Sequence, residues 1–215
     1  MDFFLKVLLA YLLGSVVGSL VVGRLRGGID IRKMGSGNAG ATNALRTQGK
    51  GFAIAVFAID IAKGWIAAGL LPVLAFPGVA PSPPEQAMWL PAACGFAAIV
   101  GHCFPVWHGF RGGKGVATLI GAFAGFDAWL LLPLFGTWLL MAVLFGFVGL
   151  ASIVASLALP VYLVVRDGAR LTPELCFAAA CALLVLFTHR GNLRRMREGS
   201  EPRARRLWLF GRGGA

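Results

Sequence analysis

The chain has 215 residues, 58% of them hydrophobic and only 13% charged, with a mean hydropathy of +0.77. A soluble domain carries roughly 25% charge, so the long apolar runs exclude a soluble fold, and they are too long and unbroken for barrel strands of about 10 alternating residues. The net charge of +11 would suggest nucleic acid in a soluble protein, but here the cations lie between and after apolar runs, as membrane topology requires.

The expected fold is all-α: a single polytopic membrane domain over 1–215, since a bilayer core takes about 20 apolar residues per helix. The first helix is predicted over 3–25. It is longer than a signal-peptide core and lacks a small-x-small cleavage site, so it reads as retained. Gly14, Ser15, Gly18 and Ser19 give it a small-residue stripe for close helix packing. A hydrated loop follows, DIRKMGSGNAGATNALR at 30–46. The second helix, 52–76, carries Asp60 and Lys63 on one face. Charges at that depth are paired to fix packing or are functional.

PGVAPSPPEQ at 77–86 is a turn without Lys or Arg. A third helix is predicted over 87–107, then the loop HGFRGGK at 108–114, then a fourth helix over 115–126. The stretch 130–165 is too long for one span and divides into helices at 128–147 and 150–165. After the hairpin RDGARLTPE, the seventh helix runs over 173–188, with Thr172 as N-cap and Pro173 at the first helical position. An arginine-rich tail starts at His189. Cys94, Cys103, Cys176 and Cys181 lie within apolar runs without CxxC spacing and read as packing residues.

Seven spans place the loops on alternate sides. One side receives Arg24, Arg26, Arg32, Lys33, Arg46 and Lys50, then Arg111 and Lys114, then the tail; the other receives Arg166 and Arg170. The cation-rich side is expected to be cytoplasmic, with the N-terminus outside and the C-terminus inside. A five-helix arrangement with two re-entrant pieces gives the same sidedness.

Three polar regions therefore fall on the cytoplasmic face. In the first, Gly35-Ser36-Gly37-Asn38 and Gly40-Ala41-Thr42-Asn43 offer hydroxyls, amides and adaptable backbone, and Arg32 and Arg46 add charge-assisted donors. The second contains His102 and the run Arg111-Gly112-Gly113-Lys114-Gly115 through Thr118, and GGKG before a helix is an anion-attracting arrangement. It is not a nucleotide P-loop, because His108 stands where that motif has its first glycine and Gly115 where it has Ser or Thr. The third holds His189, Asn192 and Glu201. The tail, 202–215, reads as a basic segment for anionic lipid, which needs no His, Asn or Glu.

A GxSxG elbow is absent, as is HxxxxD, and His102, His108 and His189 lack metal-ligand spacing and a joining carboxylate cluster. An anion transporter or channel is a competing reading, but no internal repeat is visible and the polar groups gather on one face rather than at mid-membrane. A lipid-binding scaffold would concentrate the chemistry in the tail alone.

The segments DIRKMGSGNAGATNALR, GHCFPVWHGFRGGKGVAT and HRGNLRRMREGSE resemble the three cytoplasmic motifs of the PlsY family, the bacterial acyl-phosphate-dependent glycerol-3-phosphate acyltransferases. DIAKG at 60–64 and SIVAS at 152–156 also resemble the family, and the resemblance covers nearly the whole chain. Ala39 and Ala44 depart from it, standing where Pro and Val are frequent.

The resemblance implies seven membrane helices and a site at the cytoplasmic face of the inner membrane. It implies acyl transfer from acyl phosphate to the 1-hydroxyl of glycerol 3-phosphate. The products are 1-acylglycerol 3-phosphate and inorganic phosphate, the first step of phospholipid biosynthesis. It implies no cofactor, metal or nucleic acid, and the chain is expected to act as a monomer among membrane lipid. Ser36, Arg46, Lys114, His189 and Asn192 are the implied catalytic residues, with Ser152 beside them at the glycerol 3-phosphate. Asn38, Thr42, Asn43, Gly112, Gly113 and Thr118 are implied to hold the acyl phosphate, and Glu201 to anchor the tail through arginines of the other loops. The base is open between His189 and a substrate phosphate oxygen.

Overall fold

The structure is a computed structural model, described for residues 1–204 and 207–209. The described residues are helical with no strand: α1 (Asp2–Gly14), α2 (Gly18–Leu25), α3 (Ala41–Gln48), α4 (Lys50–Trp65), α5 (Pro84–Ala87), α6 (Leu90–Cys103), α7 (Val116–Phe126), α8 (Leu131–Phe145), α9 (Val148–Asp167), α10 (Pro173–Thr188) and α11 (Arg190–Arg197). Four stretches are long and apolar enough to cross a membrane: Lys50–Val73, Leu90–His108, Ala128–Phe145 and Val148–Asp167. The number rises to six if the bent pairs α1–α2 and α10–α11 each count as one span. The protein is thus an all-helical membrane protein. The chain divides into two compact units, Met1–Ala128 and Trp129–Ala215.

In the first unit, α1 packs on α6, and α4 on α7. Small residues set both distances. A Cβ on Gly14 would collide with the Ala98 backbone, and one on Gly101 with Tyr11 O. In the second pair, Gly64 lies against Thr118 O and Gly121 against Ile61 O. Backbones approach this closely only where side chains are absent, which is how helices associate where lipid competes equally for apolar contact.

The first membrane segment differs from the single helix predicted over 3–25. It breaks between Gly14 and Gly18 with a bend of 46°, and Val17 is extended. A break inside an apolar layer strands backbone groups, and the Asp60–Lys63 pair of α4 takes them up. Lys63 Nζ donates to Gly14 O at 2.9 Å and Val16 O at 2.8 Å. Asp60 Oδ1 accepts the Gly18 amide at 3.1 Å and lies 2.9 Å from Lys63 Nζ. The cation sits at a helix C-terminus and the anion at a helix N-terminus, as the helix dipole favours. The second membrane segment, predicted as a helix over 52–76, loosens beyond Trp65 into a π turn, Ile66–Leu70, and a 3-10 turn, Leu71–Val73.

In the second unit, α8 packs on α9 and α9 on α10. Gly146, at φ +76°, ends α8 where the sequence expects the division. Thr172 accepts the Leu175 amide at 3.2 Å and Pro173 opens α10, as predicted.

Candidate functional site

The loop at 30–46 is more ordered than its glycine content suggests, since its second half is the start of α3. Asp30 caps the 3-10 turn Ile31–Lys33 by accepting the Arg32 amide at 3.0 Å, and its two oxygens meet Arg32 Nε at 3.0 Å and Nη2 at 2.8 Å. This fork pairing holds the Asp30 carboxyl below its ordinary range, against the opposing effect of partial burial. Arg32 Nη1 then donates to His108 O at 3.3 Å and Arg111 O at 2.9 Å. Arg32, expected to serve a ligand, is instead the latch between the first two polar loops.

Asn43 is 2% exposed. Its amide donates to Ile31 O, Met34 O and Asn38 O at 2.9, 3.0 and 2.9 Å, and its oxygen accepts the Ser36 amide at 3.0 Å. Gly35, at φ +56°, has no room for a Cβ beside Asn43 Oδ1. Asn43 thus folds the loop around itself, while Ser36, Thr42 and Arg46 are left exposed. Asn38 accepts the Gly40 amide at 2.9 Å, and no side chain caps α3.

The loop before α7 is pressed against the end of α6. Gly112 donates to Cys103 O and Gly113 to His102 O, both at 3.1 Å. A Cβ on Gly112 would collide with His102 O, and one on Gly113 with His102 Nε2. These glycines are required first by packing. Phe110 has φ +59°, strained for a bulky residue, and Gly115, at φ +84°, starts α7. The loop is also fixed to α1, since Tyr11 Oη donates to Phe104 O at 2.8 Å. Lys114 is half-buried at the helix start. Thr118 is fully buried in α7, with no hydrogen-bond partner for its hydroxyl among the described residues.

In the second unit, His189 is 4% exposed in the bend between α10 and α11. Its Nδ1 lies 2.9 Å from Val185 O. A carbonyl there fixes the proton on Nδ1 and makes Nε2 the acceptor of the neutral ring. Asn192 Nδ2 donates to Glu201 Oε1 at 2.6 Å, and Arg195 Nε to Oε2 at 2.7 Å. Glu201 therefore orders the tail through α11 itself, not through arginines of other loops as expected, because the chain turns back immediately after α11. Gly149 leaves room for the Asn192 side chain. Ser152 donates to Val148 O at 3.0 Å and accepts from Trp138 Nε1 at 3.3 Å. The tail continues with Arg203 over the rings of Phe147 and Trp208, and Ala204 N donates to Gly146 O at 2.7 Å. Of the tail assigned to lipid, Arg205, Arg206 and Arg212 fall outside the described residues.

The sequence reading missed one group. His102 was placed with the polar face, but it is buried beside Asp60 and Lys63. The signal was present: an isolated Asp/Lys pair and an isolated His in three apolar segments, one of them interrupted by Gly14-Ser15 and Gly18-Ser19.

Comparison with known proteins places these features in a family. The family model described as glycerol-3-phosphate acyltransferase matches residues 4–199. Curated proteins named glycerol-3-phosphate acyltransferase match across nearly their whole length. That from Thioalkalivibrio sulfidiphilus is 44% identical over 92% of this chain and 91% of its own, and that from Synechococcus elongatus is 42% identical over 91% of each. The crystal structure of PlsY, an integral membrane glycerol 3-phosphate acyltransferase, in its glycerol 3-phosphate form superposes with a TM-score of 0.80. It is 35% identical, with 94% of this chain and 96% of that one covered. Its lysophosphatidic acid form gives 0.79 at the same identity, over 94% and 95%. The chain belongs to the PlsY family of glycerol-3-phosphate acyltransferases.

Proposed function

We propose that this acyltransferase moves a fatty acyl group from acyl phosphate to the 1-hydroxyl of glycerol 3-phosphate, giving 1-acylglycerol 3-phosphate and inorganic phosphate. The observation that carries the reading is the similarity to a solved enzyme known in two forms, one with glycerol 3-phosphate and one with lysophosphatidic acid. Those molecules differ by one acyl group, so they stand on either side of an acyl transfer. In the reaction, the hydroxyl oxygen bonds to the acyl carbonyl carbon, the carbon–oxygen bond to phosphate breaks, and phosphate leaves with the electron pair. The donor is already activated, so the protein supplies position and charge stabilisation.

Ser36 and Arg46 on the exposed side of the first loop and Lys114 at the start of α7 bind phosphate oxygens. Thr42, Asn38 and the Gly112–Gly113 backbone complete the acyl-phosphate contacts, and Asn43 and Thr118 support that loop and helix. Ser152 and Asn192 orient glycerol 3-phosphate, with Glu201 fixing Asn192. We place the hydroxyl proton on a substrate phosphate oxygen, with His189 Nε2 as the acceptor that aims the hydroxyl. The topology we assign has seven spans, counting each bent pair once and α7 as a short seventh. The N-terminus is outside, and the site of this monomeric enzyme faces the cytoplasm at the inner membrane, following the cation-rich loops. Purified protein should release phosphate only when acyl phosphate and glycerol 3-phosphate are both present. Equal turnover with an acyl thioester donor, or phosphate uptake into vesicles without acyl transfer, would overturn the reading.

A further inference from the structure

The ion pair that caps the break in the first membrane segment has a third member. His102, 2% exposed on the last turn of α6, brings Nδ1 to 2.8 Å from Lys63 Nζ and 3.3 Å from Asp60 Oδ1. The ammonium thus faces Gly14 O, Val16 O, Asp60 Oδ1 and His102 Nδ1 with three protons. When Nδ1 accepts from Lys63, the neutral ring carries its proton on Nε2, the opposite edge. That edge is the one pressed on Gly113. His102 O also accepts the Gly113 amide, and the next carbonyl, Cys103 O, accepts that of Gly112.

One residue therefore touches the membrane ion pair with one side of its ring and the glycine loop with the other side and with its carbonyl. Asp60 and Lys63 are held by the ends of two helices, so they cannot shift without uncapping one of them. The imidazole is seated on that fixed point, and it fills the space a side chain at position 113 would occupy.

We propose that His102 is a positioning residue for Lys114. It transfers the rigidity of the capped break to the Gly112–Gly113 backbone and so holds the Lys114 ammonium and the start of α7 in place for a substrate phosphate. The proposal rests on the reading of Lys114 as a phosphate ligand. Displacement of a binding group by about 1 Å can cost on the order of 10²-fold in rate, so a buried residue that never meets substrate can control turnover.

The test uses the full-length purified protein and four variants: H102A, G113A, their combination and D2N. Asp2 serves as the stability control, because it forms a buried ion pair with Lys6 at 3.1 Å at the far end of α1. Three quantities are measured: KM and kcat for both substrates, melting temperature, and amide hydrogen exchange at 112 and 113. H102A should lower kcat/KM by about 10²-fold and speed exchange at both glycines, while D2N lowers the melting temperature and leaves KM unchanged. G113A should cost less in the H102A background, where the ring it collides with is gone. Unchanged kinetics in H102A, a loss no greater than that of D2N at equal melting temperature, or additive costs in the double variant would overturn the proposal. A wild-type protein without acyl transfer would instead sink the functional reading, and the exchange data would still decide whether His102 holds the loop.

Discussion

Lys114 stands where two attractions for phosphate coincide, its own ammonium and the positive end of α7. Lys114→Ala should nearly abolish turnover in the coupled phosphate-release assay, and a wild-type rate would remove it from the site. His189→Ala should lower kcat by less than the 10²–10⁴-fold range typical of a lost general base. A larger loss with unchanged glycerol 3-phosphate binding would make His189 the base. The Asp30–Arg32 fork gives a pH expectation. A carboxyl held below its ordinary 3.8 contributes stability above that value and loses it as pH falls through the lower folded value. The latch between the loops is therefore intact throughout the neutral range, and Asp30→Asn should leave the shape of the pH–rate profile between pH 6 and about 9 unchanged while loosening the loops. At this scale the sequence revealed which residues are polar but not which way they point. Ser36 and Arg46 are exposed, whereas Asn43 and Glu201 bond inward, and composition does not separate the two.

The helices were legible where termination signals are local. Thr172-Pro173 and Gly146 mark ends that the structure keeps. The break in the first segment was not, because the residues that stabilise it come from α4, more than 40 positions away. That distance leads to an unusual stability prediction. Removing one member of a buried pair costs about 3–5 kcal/mol, and replacing both with apolar residues is often neutral. Here Lys63→Met should cost that amount, and Asp60→Leu with Lys63→Met should recover little, since Gly14 O and Val16 O lose their donor in both and the Gly18 amide loses its acceptor in the double variant. Thermal unfolding in micelles checks this, and a double variant as stable as wild type would show that the break does not need the pair. At the start of α10, Thr172→Ala should cost about 1 kcal/mol.

For the whole molecule, membrane character follows from hydropathy alone, but the number of spans does not. α7 has 11 residues, about 16 Å of helix, short of a 30 Å core. Its leading loop is tied to α6, whose Cys103 and His102 carbonyls accept the Gly112 and Gly113 amides. Sidedness is testable by impermeant maleimide labelling of Ala80→Cys and Arg26→Cys in spheroplasts. The first should label at once and the second only after lysis, and the reverse would invert the topology. In the proposed reaction the 1-hydroxyl of glycerol 3-phosphate attacks the carbonyl carbon of acyl phosphate. Turnover with acceptor carrying oxygen-18 in that hydroxyl tests it most directly. The label should appear in the ester oxygen of 1-acylglycerol 3-phosphate, with the released phosphate unlabelled. Label joined to a newly transferred phosphoryl group, with fatty acid released, would contradict it.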